Sequence, residues 1–131
     1  MESGYKIESI LLLKCNFERI PNVTFKDSSS NINIEVNCNV QGNKVFVSEV
    51  LNFDITFNGE KEVTAIIEMM GVFEKIGEDL PISPEDFGKI NGAAILYPYI
   101  REQLSSIAQK AGLGQVILPT ANFIKLHDDK I

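Results

Sequence analysis

The succession of hydrophobic patterns predicts an α+β protein, a four-stranded antiparallel sheet with helices on one side. Three observations predict it. Apolar residues recur with period two in four runs between Lys6 and Phe73, the spacing of half-buried strands. Asn58-Gly59 separates the third run from the fourth; both residues tolerate positive φ, so this two-residue turn folds those strands back on each other. From Ile90 to Ala111 the period changes to that of a helix, with Leu96, Ile100, Leu104, Ile107 and Ala111 on one stripe and Ile95 and Tyr99 on a second.

In the first strand, Lys6 to Arg19, the odd positions Ile7, Leu11, Leu13, Cys15 and Phe17 are apolar and predict a buried face. Ile10 and Leu12 break the alternation by being apolar on the outer side, so either this strand is covered on both faces or it lies at an interface. The stretch from Pro21 to Asn31 is too long for a hairpin and carries Val23 and Phe25. Such side chains either fold back on their own domain or line a binding groove.

The second strand is regular, with Ile32, Ile34, Val36, Cys38 and Val40 alternating against Asn33, Glu35, Asn37 and Asn39. Gln41 to Lys44 makes a short turn into the third, where Val45, Val47, Leu51, Phe53, Ile55 and Phe57 share a face that Glu49 interrupts. Val63, Ala65, Ile67, Met69 and Phe73 form the inner face of the fourth.

Ser83-Pro84-Glu85-Asp86 starts a short helix, with serine as cap, proline at the first helical position and acids where the dipole favours them. It runs to about Lys89 and leads into the long helix. Pro98 should bend the first turns of that helix or place its regular part mostly after itself. Lys110 in the last turn and Gly112 as a left-handed cap end it. Leu113 to Thr120 should run extended, and Asn122 caps a last short helix with Phe123, Ile124 and Leu126.

The 131 residues suit one domain, 1–131, and the composition is that of a soluble globular chain. A net charge of -6 argues against nucleic acid as the main partner and admits a basic protein. No basic leader precedes the first strand, and the run Ile10 to Leu13 is far too short for a signal core or membrane span. A cytoplasmic protein that does not insert into membranes is expected. Cys15 and Cys38 read as reduced thiols on buried strand faces, and His127 stands alone beside Asp128 and Asp129. No nucleophile-base pair, phosphate-binding glycine loop or metal-ligand spacing is present. Catalysis, a cofactor and a bound metal are therefore not expected. The lone glycine features Asn91-Gly92 and Gly112-Leu113-Gly114 are explained by caps and turns.

Two segments carry a family resemblance. Ala94-Ile95-Leu96-Tyr97-Pro98-Tyr99-Ile100-Arg101-Glu102, followed by Leu118-Pro119-Thr120-Ala121-Asn122-Phe123, resembles the signature of the SecB export chaperones, and Asn16-Phe17-Glu18-Arg19-Ile20-Pro21-Asn22 is similar to an element near that family's start. The resemblance implies that the first strand crosses over rather than pairing with the second, which the long link permits. It implies a homotetramer, a dimer of dimers with long helices between two sheets. Ile10, Leu12, Ile95 and Tyr99 are the expected interface residues, although a lone domain could bury both helix stripes under its C-terminal segment.

The implied activity is that of an ATP-independent holdase for unfolded polypeptide clients, and some SecB-like proteins serve instead a single client, the antitoxin of a toxin-antitoxin pair. Ile20, Val23, Phe25, Phe123 and Leu126 are the expected client-binding residues, each equally open to a core role. The family's motor partner SecA implies a contact at Glu18. Lys14, however, stands where export chaperones tend to carry a second acid, and the sequence ends eight residues after Phe123, short of a long last helix and acidic tail. Weak or absent coupling to SecA is the expectation, with client holding retained.

Overall fold

The computed structural model describes residues 4–78 and 82–114. Strands β1 (Gly4–Arg19), β2 (Ser29–Gln41), β3 (Lys44–Phe57) and β4 (Glu60–Ile76) form one antiparallel sheet in the order β1-β4-β3-β2. The crossover is thus present: β1 pairs with β4 across the sheet from β2. Gly42 has φ 60°, and Asn58 and Gly59 have φ 50° and 78°, so both hairpins turn through the left-handed conformation that the sequence there accommodates.

The phase of β1 differs from the expectation in its middle. Ile7 pairs with Phe73 and Cys15 with Ile67, both on the inner face as predicted, but the register shifts between Ile7 and Ser9 and again between Leu12 and Lys14. Each shift is a bulge that changes which side chains point inward. Ile10 therefore pairs with Gly71 and Leu12 with Met69, so both share the inner face rather than the outer one. Ile10 packs against both core clusters. Leu12 stays 47% exposed because β1 is an edge strand, and Leu11 and Leu13 are similarly exposed.

The helical region begins at α1 (Pro84–Asp86), where the Ser83 hydroxyl accepts a hydrogen bond from the Asp86 N–H at 3.2 Å. It continues through a π-helical turn, Phe87–Gly92, into α2 (Ala93–Lys110). Regular helix thus starts five residues before Pro98, and the irregularity lies upstream of the proline. The reason is close packing. A β-carbon on Gly88 would lie 2.4 Å from Cys38 Sγ, and one on Gly92 would lie 2.9 Å from Val47 Cγ2. Gly92, read from sequence as a turn feature, is instead a point of close approach to the sheet.

Helix α2 lies over β3 and β4. Tyr97, Ile100 and Leu104 are buried against Leu51, Phe53, Ala65 and Ile67, a second cluster joins Leu96 to Val45, Val47, Phe73 and Phe87, and Ala108 is buried as well. Each aliphatic side chain so buried stabilises the fold by about 1.5–3 kcal/mol. Ile95 packs half-buried against the second cluster while Tyr99 is 48% exposed, so the predicted second stripe is divided. Gly112, with φ 73°, ends the helix as predicted; its N–H donates to Gln109 O and the Leu113 N–H to Ala108 O. The short helix expected from the sequence after Asn122, with Phe123 and Leu126, falls outside the described residues.

Candidate functional site

The sheet's width against a single helix leaves its margins less covered, and at one end this opens a cleft. The end of β1, the start of β4 and the C-terminus of α2 enclose about 650 Å³, lined by residues that include Phe17, Arg19, Ile20, Glu62 and Ala111. The crossover leaves β1 at this cleft. Ile20 and Phe25 are 41% and 58% exposed, whereas Val23 turns inward against the core. The structure therefore brings Ile20 to the cleft, leaves Phe25 open on the same crossover and packs the half-buried Val23 against the core.

Glu18 points away from that core, paired in register with Thr64, and is exposed. Lys14 is exposed four residues earlier and pairs with Glu68. The outer face thus carries a cation between carboxylates at this position.

Two polar residues gain meaning only from the fold. Arg19 lies on the same strand phase as Cys15 and Phe17, and its guanidinium donates to the carbonyls of Ile20 (3.0 Å), Pro21 (2.9 Å) and Ala111. Glu62 receives the Ile20 N–H on its main-chain carbonyl at 3.0 Å and the Thr24 N–H on Oε1 at 2.7 Å. The sequence signal for Arg19 was a cation at an inward position of an amphipathic strand; nothing local marked Glu62.

Glu49 is fully buried, between its cross-strand partners Val36 and Met69, and neither carboxyl oxygen has a hydrogen-bond partner among the described residues. Burial pushes its pKa from 4.5 up to about 8, so the acid is mostly neutral at pH 7. Burial likewise raises Tyr97, whose ring carries the Arg101 guanidinium 5.9 Å from its centroid. Cys15 and Cys38 are free and half-buried, and burial raises the Cys38 thiol. No group of three or more His, Cys, Asp or Glu side chains among the described residues could hold a metal ion. No described helix is long and apolar enough to cross a membrane.

A four-stranded antiparallel sheet with a β1 crossover and one long helix on its face defines a SecB-like protein. A SecB-like chaperone of Mycobacterium tuberculosis, in complex with an antitoxin peptide, superposes with a TM-score of 0.72 at 23% identity, covering 89% of this chain and 90% of that one. A protein of unknown function from Streptococcus agalactiae superposes with a TM-score of 0.54 at 13% identity, covering 92% of this chain and all of the other.

Sequence comparison agrees with the fold. Residues 4–131 match the family described as preprotein translocase subunit SecB, and the chain belongs to that family. It is 27% identical over 130 residues to the protein-export protein SecB of Saccharophagus degradans, covering 92% of this chain and 75% of that protein. An uncharacterized protein of Methanocaldococcus jannaschii is 31% identical over 103 residues, which cover 74% of this chain and 66% of the relative's length.

Proposed function

We propose that this protein is an ATP-independent holdase that binds extended apolar segments of non-native polypeptide. The observation that carries the reading is the crossover, which exposes Ile20 and Phe25 beside an open cleft. Apolar groups held in water on an ordered scaffold gain free energy by covering one another with a client's side chains. Several such contacts per assembly give avidity without demanding a sequence. Val23 contributes by anchoring the loop from beneath. Phe123 and Leu126, outside the described residues, complete the apolar surface in this proposal.

Assembly is part of the reading. β1 is a 16-residue edge strand with Leu11, Leu12 and Leu13 each between 45% and 48% exposed. A long apolar edge invites a second chain, and with Tyr99 exposed on α2 it supports a homo-oligomer, a tetramer built as a dimer of dimers. In this assembly Ile10 and Leu12 lie at the margin of the β1 contact and Ile95 supports Tyr99 from within. The expected result is that the purified protein suppresses aggregation of a refolding client and co-elutes with an unfolded one in gel filtration. Failure in both would refute the holdase reading.

A second reading is a chaperone dedicated to one client, such as an antitoxin. It is favoured by the antitoxin peptide bound to the structurally similar chaperone. Affinity capture distinguishes the two readings: one dominant partner supports the dedicated role, a broad set of partners the general one. Coupling to SecA is weak in either case, because Lys14 reverses a charge four residues from Glu18 on an outer face that would otherwise be acidic.

A further inference from the structure

The crossover from Ile20 to Ser28 contains no regular secondary structure, yet its first half is held at several points. All three guanidinium nitrogens of Arg19 donate to carbonyls, two in the crossover itself (Ile20 and Pro21) and the third, Ala111, at the C-terminal end of α2. From the other side Glu62 takes the Ile20 and Thr24 N–H groups, one on its main chain and one on its carboxylate. The two residues face the same cleft. Cationic donors at a helix C-terminus are favoured by the carbonyls left unpaired there, and a guanidinium spreads its donors over three nitrogens, each of which serves one acceptor here, whereas the donors of an ammonium radiate from a single atom and do not reproduce that fork.

From these bonds we infer that Arg19 and Glu62 are positioning residues that hold the crossover in its client-ready shape, tying Ile20 and Phe25 to the sheet and to the end of α2 before any client arrives. The inference rests on the holdase reading and adds to it the device that sets the site. Neither side chain is required to touch the client. Their effect is on the fraction of free protein whose crossover is competent, and the apparent dissociation constant rises in inverse proportion to that fraction. A clamp loss that lowers the competent fraction to about one tenth weakens binding about tenfold. The loss falls on association, since the bound state restores the same contacts to the client.

The test uses the full chain with a fluorescently labelled, reduced and carboxymethylated α-lactalbumin as a permanently unfolded probe. Three quantities are read: probe association and dissociation rates, amide hydrogen exchange at Ile20 and Thr24 in the free protein, and the melting temperature. Arg19→Lys keeps the charge but loses the fork, and Glu62→Ala removes the carboxylate while leaving the main-chain acceptor. Both should raise exchange at Thr24 and slow association about tenfold with dissociation nearly unchanged. Glu62→Gln keeps an acceptor oxygen for Thr24 and should rescue both readouts, which a role in charge alone would not allow.

Faster exchange at Thr24 with association within twofold of the parent would overturn the inference, as would unchanged exchange in both damaging variants. If the parent protein itself fails to bind the probe, the holdase reading falls and the proposed role in client capture falls with it. Exchange at Thr24 still separates that outcome from a missing clamp. Should Arg19→Lys melt before it can be assayed, the Glu62→Ala and Glu62→Gln pair decides alone.

Discussion

Raising the pH through neutrality should weaken this fold through one buried acid. Glu49 is shut away from water and unpartnered among the described residues, and burial raises its pKa from 4.5 to about 8. Between those values the native state holds a proton that the unfolded chain has released, so stability is greatest below the lower value and declines as pH rises to the upper one. Each unit is worth about 1.4 kcal/mol, which makes the full span about 5 kcal/mol and the part already lost at pH 7 about 3 kcal/mol.

Glu49→Gln keeps shape and polarity without a titrating proton. Urea unfolding followed by circular dichroism, at one fixed protomer concentration from pH 5 to 8.5, should show the parent falling below this variant by about 1.4 kcal/mol per unit between pH 5 and 7.5. At pH 7 the variant should be about 3 kcal/mol more stable. Tyr97 does not obscure the window, because burial shifts it upward from 10.0. Parallel pH profiles for parent and variant would refute the reasoning and mean that Glu49 ionises in the native state with a partner or water at its carboxylate.

Three further outcomes follow from the packing, the edge strand and the outer face. Gly88→Ala should cost about 1–3 kcal/mol in chemical denaturation, because its β-carbon would sit 2.4 Å from Cys38 Sγ, and a Cys38→Ala change should recover part of that loss in the double mutant. Tyr99→Asp should reduce the sedimentation mass while leaving the protomer folded, since Tyr99 is 48% exposed there and its replacement places a charge only at the proposed contact between chains. A titration with SecA at low salt should show no binding at micromolar concentration; tight binding abolished by Glu18→Ala would mean that Lys14 does not disturb the acidic face.

Much of this architecture was legible in the chain because its signals are local. Period-two runs, the Asn58-Gly59 turn, the Ser83-Pro84 helix start and the Gly112 stop depend on backbone preferences acting over a few residues, and each lies where the sequence places it. The family signature around Tyr97 carried the crossover, which periodicity only permitted. The phase of β1 was not legible, because a bulge is decided by the partner strand: Ile10 pairs with Gly71, over whose missing side chain the Phe73 ring and Leu96 pack. For the same reason the π-helical turn and the close approach of Gly88 and Gly92 to the sheet depend on contacts between the turn and the strands β2, β3 and β4, which precede it in the chain. The clamp is likewise a tertiary product. Arg19, Glu62 and Ala111 are far apart in the chain, and only the pairing of β1 with β4 and the packing of α2 across the sheet bring their donors and acceptors within hydrogen-bonding distance.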